Sequence, residues 1–262
     1  MRRQTHPRIR NSLVRSLLGV LALACSAACA HEPTEPPASG ATPAATAAEP
    51  NPAAAGVVDR RGKAGASVFV AHRVSDFEAF KKFFEEGAAE REKVGVKGHL
   101  LTRLEERRVA IHLFASDLDA LKLTLDSPFL KEFADRSGAP DASLVWVAYD
   151  ELVKLPTNPA TGQTFSLYLK LSAADLTALR RGFVELQPLF AEHGVIASGL
   201  HHGVDQSDLV VAHFVGTARD KLDALAKHPR FLEWLKSGGT AGTPQTFLGD
   251  DVSRSRTYYD GF

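Results

Sequence analysis

The sequence predicts an α+β fold in which two tandem β-α-β-β-α-β repeats pack sheet to sheet, as a pseudo-dimer within one chain. Short segments in which apolar and polar residues alternate are separated by segments with apolar residues three and four apart, the patterns of strands and helices. The segment SPFLKEF, residues 127–133, is closely matched by HPRFLEW, residues 228–234. Matching segments elsewhere lie 97–101 residues apart, which indicates an internal duplication.

The first repeat is predicted over residues 65–155. Ser75 and Glu78 have the S-x-x-E spacing of a capping box and predict the start of its first helix. Gly95 is expected to end that helix, because glycine readily adopts the left-handed conformation found at helix ends. The second helix is expected to restart at Pro128 after a break. The predicted strands are 68–74, 99–104, 109–114 and 144–149.

The second repeat is predicted over residues 163–262. Ser172 with Asp175 predicts the start of its first helix, and Gly194 predicts the end. Pro188 has no equivalent in the first repeat, so it is expected to kink or shorten this helix. The other matched features are strands 165–171 and 209–214, Pro229 as the match of Pro128, and Phe247 as the match of Trp146.

This order of elements is that of the split βαβ, or ferredoxin-like, unit. Such a unit covers one face of its antiparallel sheet with two helices and leaves the other face uncovered. In residues 165–171 apolar side chains alternate with Ser166, Tyr168 and Lys170, so the uncovered face is mixed in polarity. The two mixed faces are expected to close on each other as an intrachain pseudo-dimeric barrel, around either a cavity or a packed seam.

Four side chains are predicted to face the space between the sheets. Matching the repeats pairs Ala71 with Tyr168 and Arg73 with Lys170, and His112 is assigned to the same face. Such a group could bind an anionic or phenolic ligand, and histidine, tyrosine and buried lysine are residues that acid–base catalysis uses. The alternative is that they are the polar residues that any seam between two sheets contains. The candidate ligand site is Arg73, His112, Tyr168 and Lys170, with no catalytic role assigned.

The other strand histidines do not predict a metal site. His72 is assigned to the helix-facing side of its strand. His201 and His202 are adjacent on a predicted strand, so their side chains point to opposite faces and cannot chelate one ion. No third ligand stands at a metal-binding spacing. The sequence also lacks a glycine-rich phosphate loop, so we predict neither a metal nor a cofactor.

The segments AHRVSDFEAFKKFFEE, GVKGHLL, SPFLKEF and AGAP resemble those of the dimeric α+β barrel superfamily, which includes the antibiotic-biosynthesis-monooxygenase-like proteins. The resemblance covers residues 67–151 and extends more loosely to residue 251. It implies ferredoxin-like units whose sheets pair into a barrel, with any ligand inside. Oxygenases, haem-degrading enzymes and isomerases share this fold. Resemblance to the haem-degrading members would require an axial histidine where Ala134 and Leu235 stand, so haem binding is not predicted.

The N-terminal region carries the features of an export signal. Residues 1–24 contain five arginines and then a short apolar run, which predicts a signal peptide. The sequences ALAC and SAAC, ending at Cys25 and Cys29, resemble the lipobox of bacterial lipoproteins, which implies a lipid on one of the two cysteines. The alternative is cleavage after Ala-x-Ala and a soluble secreted protein. Residues 25–64 are rich in alanine and proline and are predicted to form a disordered tether.

Charge excludes one class of partner. The whole chain balances 31 basic against 31 acidic residues, and removing the five arginines of the signal leaves 26 against 31, or −5. A chain with this balance and no basic stripe is not expected to bind nucleic acid.

We therefore predict an envelope protein anchored by lipid, most simply in the outer membrane and facing the periplasm. Its barrel is interpreted as a binding or structural module whose specific ligand the sequence does not identify, with a small hydrophobic molecule as the candidate. The alternative is a cofactor-independent monooxygenase or isomerase that acts on a small hydrophobic or phenolic substrate in the barrel. A scaffold for partner proteins is a third hypothesis, and it would require an exposed apolar patch.

Overall fold

A computed structural model describes the parts of the chain that form the two repeats. The described residues are 50–63, 65–105, 107–115, 118–119, 122, 144–156, 162–240 and 242–255, all within one compact unit, residues 48–262. The predicted signal peptide, Cys25, Cys29 and the predicted break at Pro128 lie outside them, as does Ala134. Among the described residues, no helix has the length and apolar character that spanning a bilayer requires.

The second repeat follows the predicted order in full, and the described elements of the first repeat follow the same order, its second predicted helix lying largely outside the described residues. In and before the first repeat they are β1 (Val58–Asp59), β2 (Ala66–Arg73), α1 (Phe77–Glu86), α2 (Ala88–Lys93), β3 (Val96–Arg103), β4 (Arg108–Ala115) and β5 (Leu144–Lys154). In the second repeat they are β6 (Phe165–Ser172), α3 (Leu176–Glu185), α4 (Gln187–Glu192), β7 (Val195–Gly203), β8 (Leu209–Gly216), α5 (Arg219–Lys227), α6 (Pro229–Ser237) and β9 (Gln245–Arg254).

Eight of the described strands close into one barrel. Their order is β5-β2-β4-β3-β9-β6-β8-β7, and β7 pairs back with β5. The first part of β5 pairs with β2 of its own repeat and the second part with β7 of the other, while β9 joins β6 to β3 in the same way. Each repeat thus completes the sheet of its partner, and the predicted pseudo-dimeric α+β barrel is confirmed.

Aspartates, rather than the predicted serines, cap the first helix of each repeat. The carboxylate of Asp76 accepts a hydrogen bond from the Ala79 amide at 3.1 Å, and that of Asp175 accepts one from the Ala178 amide at 2.8 Å. Both residues stand at the N-cap, where a side-chain acceptor satisfies an amide that has no partner within the helix. The Ser75 cap prediction is therefore wrong by one residue.

The first helix is interrupted in both repeats. It breaks at Gly87 between α1 and α2, and at Leu186 between α3 and α4. Pro188 lies in the first turn of α4, where an amide hydrogen would have no helical partner. The predicted kink or shortening of this helix at Pro188 is confirmed, and the first repeat breaks at the equivalent place without a proline. Gly95 and Gly194 have φ angles of 95° and 71°, as expected for residues that end a helix.

Two apolar cores fill the space between helices and sheet. In the second repeat Phe190, Phe231 and Trp234 pack edge to face, and the indole of Trp234 donates a hydrogen bond to the Leu179 carbonyl at 2.8 Å. The core of the first repeat contains Phe84 and is smaller within the described residues. These cores cover the outer, helix-facing side of the barrel. The buried polar side chains Ser67, His112, Asp150 and His201 lie on its inner side.

The last part of the predicted tether is ordered. Val57, the first large apolar residue of that stretch, is 3% exposed and packs with Leu152 and other residues of the second-repeat core. Val58 and Asp59 then form β1 by pairing with Val153 and Leu152. The predicted boundary at residue 64 is therefore too late, because strand pairing and burial fix the chain from about Val57 onward.

Candidate functional site

Strand register shows which residues of the two repeats are equivalent. Ser67 pairs with Phe114 as Ser166 pairs with Val215, and Phe69 pairs with His112 as Tyr168 pairs with His213. Tyr168 is thus the counterpart of Phe69 rather than of Ala71. The predicted match was wrong by two residues. An error of two leaves Tyr168 assigned to the correct face of its strand, because side chains alternate between the two faces.

The four predicted site residues lie in three different environments. His112 and Tyr168 are buried inside the barrel, as expected. Lys170 is partly buried and borders a small cleft that Tyr168 also lines. Arg73 is the last residue of β2 and is exposed, on the strand face that carries Phe69 and Ala71. The four residues do not form one site.

Inside the barrel, four polar side chains from four strands are connected by hydrogen bonds. Nδ1 of His201 lies 2.9 Å from Oδ1 of Asp150. The Ser67 hydroxyl donates to the same oxygen at 2.8 Å, and Nε2 of His112 lies 3.0 Å from the Ser67 hydroxyl. The side chains of His201 and Asp150 are 4% and 6% exposed, so the pair is shielded from bulk water.

The directions of these hydrogen bonds follow from the number of available protons. Ser67 has one hydroxyl proton, which it donates to Asp150, so it must accept the proton carried by Nε2 of His112. An ionised carboxylate only accepts, so Nδ1–H of His201 donates to Asp150. Nε2 of His201 is buried and has no hydrogen-bond partner among the described residues. The network therefore leaves one imidazole nitrogen available.

Charges and burial set the protonation of this network. Burial raises the pKa of Asp150, but the hydrogen bond and charge of His201, with smaller contributions from Ser67 and Arg60, hold the pKa below its ordinary value. Burial lowers the pKa of His112 well below 6.5, and the neighbouring imidazoles of His213 and His201 lower it further. Asp150 is therefore ionised and His112 neutral at neutral pH.

A small cavity adjoins the available nitrogen of His201. Its volume is about 50 Å³, and its lining includes Gly199, Phe114 and the partly exposed residues Arg60 and Lys154. A Cβ atom at Gly199 would lie 2.4 Å from Nε2 of His201. Only glycine at this position leaves room for the imidazole where it stands.

The other half of the barrel carries a counterpart of this network in which Thr102 stands where His201 does. Asp251 pairs in register with Thr102, just as Asp150 pairs with His201. The Thr102 hydroxyl donates to Oδ1 of Asp251 at 2.8 Å, so the Tyr168 hydroxyl, 3.0 Å away, donates to Thr102. In strand register, Leu100 stands where Gly199 stands in the other half.

Because Thr102 replaces the imidazole that faces Asp150, the pKa of Asp251 shifts in the opposite direction to that of Asp150. Burial raises its pKa to about 6, although the hydroxyl groups of Thr102, Ser166 and Thr164 and the charge of Arg254 act in the opposite direction. Its Oδ2 is buried and accepts no hydrogen bond from the described residues. The duplicated frame thus holds one histidine–aspartate pair and one aspartic acid that retains its proton up to about pH 6.

The histidines that were considered for a metal are separated as predicted. His201 points into the barrel, whereas Nε2 of His202 lies 2.9 Å from the Ser207 carbonyl on the other side of the strand. His72 packs near Phe80 of α1, on the helix-facing side. Among the residues that the structure describes, no three histidine, cysteine or acidic side chains are arranged to bind a metal ion.

Solved structures share this fold at low sequence identity. An anthrone oxidase-like protein superposes with a TM-score of 0.57 and 12% identity, over 76% of this chain and 95% of its own. A candidate monooxygenase from Fusobacterium nucleatum has a TM-score of 0.55 and 13% identity over 74% of this chain and 95% of its own. Another from Lactobacillus acidophilus has a TM-score of 0.55 and 12% identity, over 74% and 96%.

No family model and no curated protein sequence matches the chain. At these identities, the structural matches show the fold, which is that of the dimeric α+β barrel. The resemblance that the sequence motifs suggested is thereby confirmed for the fold, while the chemistry must be argued from the residues inside the barrel.

Proposed function

We propose that the barrel interior catalyses proton transfer, with His201 as the general base and Asp150 as the residue that orients it. The observation that carries this proposal is the buried Nε2 of His201, which faces a cavity while Nδ1–H is held by a carboxylate. A carboxylate that fixes the tautomer and stabilises the imidazolium is the arrangement that makes histidine an effective base.

The base would remove a proton from an acidic C–H or O–H group that enters the cavity. If the proton returns to a different atom, the substrate is isomerised. If O₂ instead traps the carbanion, a hydroperoxide forms and its distal oxygen takes the proton from His201. Loss of water then converts one CH₂ group and one O₂ into one carbonyl group and one H₂O. The monooxygenase and oxidase names of the fold relatives favour the oxygen-dependent outcome.

A binding module without chemistry is the second candidate. It is favoured by the packing of the rest of the interior, where the rings of Phe69 and His112 stack at 4.1 Å and those of Tyr168 and His213 at 4.6 Å. Of the spaces that the described residues enclose in this interior, the one beside His201 is larger than the cleft next to Tyr168 and Lys170. A ligand that binds there and leaves unchanged would be consistent with this candidate.

The test is to follow proton exchange from a panel of small carbon acids into D₂O by NMR, with O₂ consumption recorded in parallel. The full-length protein, His201→Asn and Asp150→Asn are compared. Removing a general base is expected to lower the exchange rate by about 10²–10⁴-fold. His202→Asn is the matched control, because the neighbouring imidazole lies on the other side of the strand. Equal rates for His201→Asn and the unsubstituted protein would refute the proposal.

We also propose that the chain is anchored in the bacterial envelope by a lipid on Cys25 or Cys29. The support is the sequence pattern of an arginine-rich start, a short apolar run and small residues before each cysteine. Mass spectrometry of the mature N-terminus, in Cys25→Ser and Cys29→Ser variants, would identify the modified cysteine. An unmodified N-terminus after cleavage at an alanine would refute the anchor.

A further inference from the structure

We propose that Nε2 of His201 is a site of covalent modification by small neutral electrophiles of the α,β-unsaturated ketone and aldehyde class. The modification uses the same nitrogen as the proposed function, but it requires no catalysis. It follows from three features of the site, which are the tautomer of the ring, the carboxylate on one side of the ring and the size of the adjoining cavity.

The tautomer of His201 makes Nε2 a nucleophile. Nδ1–H donates to the carboxylate of Asp150 at 2.9 Å, so the neutral ring carries its lone pair on Nε2. That nitrogen is buried and has no hydrogen-bond partner among the described residues. Imidazole is one of the side chains that form covalent bonds with substrates, and a carboxylate that orients the ring makes it more reactive. The barrel therefore holds a histidine nucleophile in a fixed orientation.

A second polar atom in the same lining is a weaker nucleophile. Oγ of Ser198 also has no hydrogen-bond partner among the residues that the structure describes. A hydroxyl group keeps its proton at neutral pH and reacts slowly unless an adjacent base removes that proton. Because Oγ of Ser198 is hydrogen-bonded to no such base, addition is expected at His201 and not at Ser198.

Asp150 also stabilises the product of the addition. When Nε2 attacks the terminal carbon of a vinyl ketone, a C–N bond forms and the π electrons of the C=C bond move into the enolate. The α-carbon of the enolate then takes a proton from water, the hydroxide is neutralised by the buffer, and no group leaves. The alkylated ring keeps Nδ1–H and is positively charged. A buried cation without a partner is costly, but the carboxylate of Asp150, 2.9 Å from Nδ1, balances this charge.

The volume of the cavity selects small electrophiles. A water molecule needs roughly 10–15 Å³ of such volume, and a cavity of about 150 Å³ binds benzene. The cavity beside His201 has a volume of about 50 Å³, which accommodates roughly three to five non-hydrogen atoms. Phe114 and Ala197 contribute to its apolar walls. A vinyl ketone with a methyl substituent can therefore be enclosed, whereas one with a phenyl substituent cannot.

The end of β5 connects this cavity to the surface. Val153, Lys154 and Leu155 line the cavity and are partly exposed. Inside, the space next to Nε2 is kept open by Gly199, where a Cβ atom would lie 2.4 Å from this nitrogen. A small reagent can therefore enter from solvent and reach the buried imidazole.

The experiment compares two vinyl ketones that have the same reactive group and different sizes. The full-length protein is treated with methyl vinyl ketone or phenyl vinyl ketone until His193 is labelled. Adducts are assigned to individual residues by peptide mapping, since cysteines and lysines also react. His193 is the internal reference, because its Nδ1–H donates to the Leu189 carbonyl at 3.0 Å and its ring is partly exposed. It thus has the same tautomer without a carboxylate.

The ratio of His201 adduct to His193 adduct is expected to be about tenfold higher with methyl vinyl ketone, because an oversized group is rejected by the packed walls. Asp150→Asn is expected to slow methyl vinyl ketone addition at His201 about tenfold and to leave His193 unchanged, since the amide group can donate to Nδ1 and place the ring proton on Nε2. Asp223→Asn is the matched control, because Asp223 pairs with Lys227 on the surface.

A His193 adduct without a His201 adduct in the folded protein, or the same ratio for both reagents, would overturn the inference. This comparison uses the unsubstituted protein, so it remains decisive even if Asp150→Asn does not fold. Carbon-acid exchange into D₂O is measured on the same preparations. Size-selective addition at His201 without exchange would support the modification site and refute the proton-transfer function. Exchange without size-selective addition would have the opposite meaning.

Discussion

Asp150 and Asp251 occupy the same position in the two halves of the barrel, yet the pKa values of their carboxyl groups are shifted in opposite directions. The difference follows from the residue that each faces in the neighbouring strand, His201 for Asp150 and Thr102 for Asp251. Asp150 accepts hydrogen bonds from His201 and Ser67 that stabilise its ionised form, whereas around Asp251 the cost of burial outweighs the hydroxyl groups. One duplicated frame thus holds two carboxyl groups that lose their protons in different pH ranges.

Asp251→Asn is expected to remove a pH-dependent loss of stability. Because the pKa of Asp251 rises from 3.8 to about 6 on folding, its favourable contribution is complete below pH 3.8 and is lost as the pH rises through about 6. The loss is about 3 kcal/mol. The variant should therefore match the unsubstituted protein near pH 4 and be more stable at pH 8. Urea unfolding at both pH values measures this, and an unchanged difference between them would contradict it.

Asp150→Asn is expected to show the opposite pH dependence. The pKa of Asp150 is lowered on folding, so its contribution is present above its ordinary pKa and is lost as the pH falls through the lower, folded value. The asparagine variant should be less stable at pH 7, by about 3 kcal/mol for a broken buried pair. This deficit should shrink under acidic conditions. The same unfolding series gives the comparison, and a deficit that grows towards low pH would be inconsistent with the assigned ionisation.

The sequence predicted the strands and their faces because both depend on local alternation. It missed His213 because the turn between β7 and β8 is two residues longer than the turn between β3 and β4. An offset of 100 residues between the repeats matches His112 with Ala212, so His213 was not recognised as the equivalent of His112. Ser67 and Ser166, 99 residues apart at matched strand positions, were a signal that could have identified the duplicated site.

Asp150 was missed for a different physical reason. The predicted strand ended at Tyr149, where alternation stops, but β5 continues to Lys154. The added part pairs with β7 of the other repeat, and the register shifts between Asp150 and Leu152. Pairing between residues about fifty positions apart leaves no local pattern, so the contact between Asp150 and His201 could not be predicted from the sequence alone.

Gly199→Ala is expected to displace the imidazole of His201. The added Cβ would lie 2.4 Å from Nε2, so the ring or the strand must move. Overpacking of this kind costs about 1–3 kcal/mol, and the proton-exchange activity should be lost with the geometry of the pair. Gly162→Ala is the control, since an added Cβ there meets nothing within 4 Å. Thermal unfolding and the exchange assay report the two effects, and a fully active Gly199→Ala protein would exclude His201 as the base.

The final prediction is that the histidine–aspartate pair can be transplanted to the other half of the barrel. Leu100→Gly makes the space that Gly199 provides, Thr102→His supplies the imidazole, and Tyr168→Phe reproduces Phe69. Leu100→Gly alone should destabilise the protein by about 2–5 kcal/mol through the cavity it creates, and Thr102→His alone should destabilise it through overpacking.

The combined variant should be more stable than the sum of the single changes, because the new imidazole fills the new cavity. The pKa of Asp251 should then fall from about 6 to below its ordinary value, as that of Asp150 does. Carboxyl ¹³C titration by NMR measures this pKa directly, and an unfolding series gives the coupling between the substitutions. Additive losses together with an unchanged pKa would show that the two halves are not equivalent frames, and that the His201 site depends on features beyond the exchanged residues.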